Sequence, residues 1–187
     1  MRKQTGVARN LSLSLKLAKS PVKLTRIKVN TRNKYGETPL HQAAKKGNLS
    51  RIAECLSTPG VDINSQDYAG FTPLHEAVDA NRVEAVKLLL EYVPHSHTLD
   101  KYFVVRQNLT SPMKKVDRVD LLKGDKDDGM NVVHEAVEND SLAMTKLFLE
   151  TVSREQAKPG SGLPSLDTVL ASTTKNGDTI ATLAKTD

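Results

Sequence analysis

The sequence predicts an all-α solenoid: three stacked helix-turn-helix repeats and a half-repeat cap, preceded by a disordered basic arm. Three observations predict it. Four lines recur, each opening on glycine: GETPLHQAAKKGN from Gly36, GFTPLHEAVDANR from Gly70, GMNVVHEAVENDS from Gly129 and GDTIATLAKTD from Gly177. Two places after each glycine stands a helix-capping residue, Thr38, Thr72, Asn131 or Thr179, whose side-chain oxygen can accept a backbone N–H of the first turn. Each of the first three lines is followed by a second stretch with apolar residues three and four apart, the period of one helix face.

The arm comes first. Ten of the 27 lysines and arginines precede Glu37, the first acid, so the remaining 17 face all 22 acidic residues. A net charge of +5 therefore joins a basic arm, residues 1–30, to an acidic body, residues 31–187. The arm suits nucleic acid or other acidic partners and the body suits basic ones. A disordered arm or nuclear-import signal is the expectation; a mitochondrial presequence, rich in Ser and Arg and free of acids, is the alternative.

In the first repeat Pro39 takes the first helical position, where no N–H is needed, and a helix is expected over 39–46. Gly47 then supplies a left-handed turn. Leu49, Ile52, Ala53 and Leu56 form the second stripe, with Cys55 at its edge. In the second repeat Pro73 starts a helix over 73–80, Asn81 turns the chain, and Val83, Val86 and Leu90 make the stripe. In the third, Asn131 caps a helix over 132–139, Asn139 or Asp140 turns it, and Leu142, Leu147 and Leu149 follow. His41, His75 and His134 recur once per repeat, which marks them as structural histidines bonding loop backbone rather than a catalytic set.

Two insertions interrupt the register. Residues 94–128 stretch the spacing between Gly70 and Gly129 to 59, against 34 between Gly36 and Gly70; their KYFVVRQ piece suits a short strand and the charged remainder a surface loop. Residues 154–168 form the second, with Pro and Gly breakers.

Composition excludes much. One cysteine rules out an internal disulfide framework and a multi-cysteine zinc site. With aromatics at 4% and no Trp, a base-stacking platform or aromatic cofactor pocket is poorly supplied. No apolar run is long enough to span a membrane. His95, His97 and Asp100 lack further ligands for a metal. The GSG at 160–162 lacks the Lys-Ser/Thr of a phosphate loop. Ser20 and Ser111 open two Ser-Pro-x-Lys matches to proline-directed kinase sites. No enzyme and no cofactor are expected.

The G-x-T-P-L-H-x-A lines and the 34-residue spacing resemble the ankyrin repeat. In such stacks the first helices and the fingers between repeats form a concave face, with equivalent residues side by side. The position after the repeat histidine reads Gln42, Glu76, Glu135, and three residues on it reads Lys45, Asp79, Glu138. Residues three apart share a helix face, so Glu76, Asp79, Glu135 and Glu138 converge. Asp67 adds a carboxylate from the finger and Phe71 a ring. The plain alternative is a solvated acidic face; the pattern better suits a lysine or arginine side chain, with acids accepting its N–H groups and the ring covering its stem.

DINSQDYAGFTPLHEA followed by VVHEAVEND further resembles the ankyrin domains of the group containing the BARD tumour-suppressor partner, Tonsoku-like protein and the SMC complex localisation factor. The HEAVEND stretch is also similar to the BCOR corepressor repeats. The likeness spans residues 31–92 and 129–150. It implies recognition of the histone H4 tail on newly replicated chromatin, in the nucleus and in replication and DNA repair. The implied pocket for an unmethylated lysine is Glu76, Asp79 and Glu135, with Asp67, Phe71 and Asn139 around it and Glu37 meeting a neighbouring basic residue. The group's finger carries Trp where this chain has Phe71, and its residue at the place of Asp79 is usually Asn. The alternative implication is a general scaffold or corepressor-type adaptor that binds a folded protein.

Overall fold

Helix starts and stops fall where the capping chemistry puts them. The computed structural model describes residues 28–92, 118–156 and 163–184. The first repeat is α1 (Pro39–Lys46) and α2 (Leu49–Leu56), the second α3 (Pro73–Asp79) and α4 (Val83–Glu91), the third α5 (Val132–Glu138) and α6 (Leu142–Gln156). Two short helices follow, α7 (Leu166–Leu170) and α8 (Ile180–Leu183). Among the described residues there is no strand, only an isolated bridge between Thr173 and Thr179. Thr38, Thr72, Asn131 and Thr179 are the N-caps of α1, α3, α5 and α8, all with extended backbone. The helix-to-helix turns take a left-handed residue in each repeat: Gly47 at φ +65°, Asn81 at φ +54° and Asp140 at φ +49°. Asp140, not Asn139, therefore makes the third turn.

First helices stack on first helices, α1 on α3, α3 on α5 and α5 on α8, while α2 packs on α4 and α4 on α6. The core between the layers differs in register from the expected stripes. Cys55 is fully buried beside Ile52 and Leu56, with its thiol pKa pushed up by burial, whereas Leu49 is exposed. In α6 the correction is larger. Leu142 stands 78% exposed at the first helical position, and Met144, Phe148 and Val152 carry the core instead. The helix runs on to Gln156, so the i, i+4, i+8 series from Met144 stays on the inner face and the leucines fall to its side.

The fingers are built by one recurring side chain. Asn33 accepts from the Tyr35 and Glu37 N–H groups, Asp67 from Phe71 N–H at 2.9 Å, Asp125 from the Asp128 and Gly129 N–H groups, and Thr174 from Asp178 N–H. Neighbouring fingers then join by backbone, Tyr68 N–H to Tyr35 C=O, Lys126 N–H to Ala69 C=O and Lys175 N–H to Asp128 C=O. Gly70, at φ +94°, sits at one of these junctions: a Cβ there would lie 2.6 Å from the Lys126 nitrogen, so no other residue fits.

Three boundaries fall elsewhere than the sequence suggests. Val29 is buried in the core and Asn30 bonds Gly60 C=O and Asp62 N–H, so the stack reaches back into the segment read as arm. Asn64 makes the same pair of bonds one repeat later, to Arg118 C=O and Asp120 N–H, and Val119 and Leu121 are buried. Residues 118–128 are thus the regular approach and finger of the third repeat, not loop. At the second insertion α6 continues to Gln156, and Leu163 and Leu166 already pack on the core. Residues 1–27 of the arm, KYFVVRQ, His95, His97, Asp100, Ser20, Ser111 and the GSG at 160–162 lie outside the described residues. Among the described residues no helix is long and apolar enough to cross a membrane.

Candidate peptide-binding site

Three buried histidines hold the helices that carry the acids. In each, Nδ1 accepts the N–H of the capping residue, Thr38, Thr72 or Asn131. That fixes the proton on Nε2, which donates to the next repeat: His41 to Phe71 C=O at 3.0 Å, His75 to Met130 C=O at 3.3 Å and His134 to Ser172 C=O at 3.1 Å. Burial lowers all three pKa values, that of His75 to about 4, so the rings are neutral. This is the structural role the repetition predicted.

The acids separate into two groups. Glu37, Asp67 and Glu76 surround the α1–α3 gap. Glu37 is half-buried and accepts from Asn33 Nδ2 at 2.7 Å, and one Asp67 oxygen is committed to its finger turn. Glu76 is 3% exposed, and Lys45 Nζ of the preceding repeat lies 2.9 Å from its Oε2, an ion pair although that oxygen has no hydrogen bond of good geometry. Burial raises the Glu76 pKa while Lys45 opposes the rise; pairing with Glu76 in turn raises that of Lys45. Phe71 does not stand free beside these acids: its ring stacks on His75, centroids 5.7 Å apart and planes nearly parallel.

The second group surrounds the α3–α5 gap. Glu135 is 7% exposed, and its Oε2 is buried without a hydrogen-bond partner among the described residues. Its pKa is pushed up to about 8, first by burial and then by the charges of Asp79, Asp125, Glu76 and Glu138. Asp79 and Glu138 are exposed, as is Asn139 at the C-cap of α5. The structure thus brings Glu76, Asp79, Glu135 and Glu138 together as the column spacing predicted, but gives Glu76 a cation of its own.

Two participants escaped the sequence reading. Lys45 appeared only as a column entry, although a residue three places along one first helix faces the post-histidine residue of the next. Asp125 was hidden in what read as an insertion; aligning it with Asp67 through the finger would have found it.

A family model of ankyrin repeats matches residues 10–101, in three copies. The fold is an ankyrin-repeat stack. No curated protein matches the chain. The matched span ends before α5, yet the ankyrin geometry continues there, with the Asn131 cap, the His134 bridge and the Asp140 turn all in place. Ankyrin stacks are interaction scaffolds whose concave face and fingers meet protein partners, and this chain is a protein-interaction module of that kind.

Proposed function

We propose that the chain recognises a basic peptide along the α1–α3–α5 face, with the histone H4 tail bearing an unmethylated lysine as its ligand, and that it works on chromatin in the nucleus. The Glu135 oxygen buried without a hydrogen-bond partner among the described residues, and ringed by further acids, carries this reading. Such a group is costly unless a donor reaches it. A lysine ammonium brings three N–H donors, and Glu135, Asp79 and Glu138 offer acceptors for them. Each added methyl removes one donor and leaves a carboxylate short, at a cost on the order of 1–3 kcal/mol.

Titration of the purified chain with H4-tail peptides tests this. Unmethylated peptide is expected to bind roughly tenfold or more tighter than dimethylated peptide. Equal affinities would remove the methyl-state reading. One observation favours a second reading, a scaffold for a folded partner: Tyr35 and Tyr68 stand 57% and 64% exposed on adjacent fingers. Indifference to histone peptides, with loss of a co-purifying folded protein in Tyr68→Ala, would favour it.

A further inference from the structure

The two gaps between first helices are built to one plan and filled differently. Lys45 and Asp79 occupy equivalent places on α1 and α3, and Glu76 and Glu135 equivalent places on α3 and α5. Across the α1–α3 gap the pair is Lys45 with Glu76, at 2.9 Å. Repetition sets Asp79 against Glu135 in the same relation across α3–α5, where both partners are acids. Among the described residues, the cation that completes the first gap is missing from the second. Its absence leaves a mark: among the described residues Glu135 Oε2 is buried with neither hydrogen bond nor ion pair, whereas Glu76 Oε2, also without a well-aligned hydrogen bond, has Lys45 Nζ at 2.9 Å; Glu138 and Asp125 add negative charge instead of relieving it. At the next gap the place equivalent to Glu135 is held by Leu183 on α8, so among the described residues this arrangement of acid against acid is confined to α3 and α5.

Building on the basic-peptide reading, we infer that the α3–α5 gap alone receives the ligand's ammonium, and that Lys45 is a built-in occupant closing the α1–α3 gap to it. Lys45 shows what the second gap accepts. Its side chain, half-exposed, sets one ammonium against a buried carboxylate. An incoming lysine does the same from outside. The ligand is consequently read at one lysine, and the register of the peptide is fixed by which gap is open.

Charge exchange tests this on the whole chain, with an unmethylated H4-tail peptide and an oligolysine as separate probes. Asp79→Lys supplies the missing ammonium internally, and both probes are expected to bind about tenfold or more weakly. Glu84→Lys makes the same change of net charge on exposed α4, outside the gaps, and should alter affinity by less than about twofold, as befits a screened surface charge. The double exchange of Lys45→Asp with Asp79→Lys moves the open acid pair one repeat along and should recover oligolysine binding. Oligolysine binding that Asp79→Lys abolishes, with no H4 binding in any variant, would retain the open gap and reject the histone. Unchanged affinity in Asp79→Lys, an equal loss in Glu84→Lys, or no recovery in the double exchange would overturn the inference. So would a wild-type chain that binds neither probe.

Discussion

His75→Ala is expected to lower the folding free energy by about 4 kcal/mol, a substantial part of what a domain of this size has. The ring is 1% exposed and does three things at once. Its Nδ1 takes the Thr72 N–H at the start of α3, its Nε2–H satisfies Met130 C=O in the next repeat, and its face lies against Phe71. Alanine leaves a cavity and two buried backbone groups without partners. Urea unfolding of both proteins at pH 7 measures the difference; a loss below about 1 kcal/mol would show that the bridge is not structural.

The same histidine sets an acid limit. Its folded pKa of about 4 lies below the ordinary 6.5, so the unfolded chain binds the proton first. Its stability contribution is complete above pH 6.5 and lost as the pH falls through 4, on the order of 3 kcal/mol in all. His41 and His134, shifted the same way by burial, deepen the loss.

Glu135→Gln is the second large effect, and it runs in the opposite direction. The folded pKa of Glu135, about 8, lies above the ordinary 4.5, so its stabilising protonated form persists in the fold while the unfolded chain ionises. That contribution is complete below pH 4.5 and drains away as the pH rises through 8. At pH 7 the native carboxyl stands on the order of 3 kcal/mol worse than at pH 4.5, and glutamine, which cannot ionise, avoids this. The variant should be more stable than wild type at pH 7 and about equal at pH 4.5, while losing peptide affinity. Between pH 4.5 and 6.5 the glutamate and histidine contributions oppose each other in wild type. Removing the glutamate should expose a clear rise in stability with pH over that range. Thermal melts across pH check this, and a stability difference that does not vary with pH would refute the burial of an ionisable Glu135.

The helix starts were legible because their causes are local. Thr-Pro at 38–39 and 72–73 fixes cap and first turn within two residues, and Gly47 and Asn81 fix the turns that follow. The errors came where the deciding partner is distant. Leu142, Leu147 and Leu149 looked as good a stripe as Met144, Phe148 and Val152, because α6 offers apolar residues on two sides. The inner side is chosen partly by Glu155, buried in an ion pair with Arg118 at 3.0 Å, a partner 37 residues away. The approach to the third finger was lost in the insertion for the same reason: Asn64, 54 residues earlier, is what pins Arg118. At the site, reading positions as columns anticipated that the charges of Glu76, Asp79 and Glu138 act on Glu135. It missed that the relation between repeats runs diagonally, so that Lys45 pairs with Glu76 and the charge of Asp79 acts on Glu135.

Ionisation of the Glu135 carboxyl, followed by side-chain carbon NMR with and without an unmethylated H4-tail peptide, tests the open acid gap most directly. In the free protein the midpoint should fall near 8, and the bound ammonium should pull it down towards the ordinary carboxylate range while a dimethylated peptide moves it less. A free-protein midpoint already in that range, or one that the unmethylated peptide leaves in place, would contradict the account.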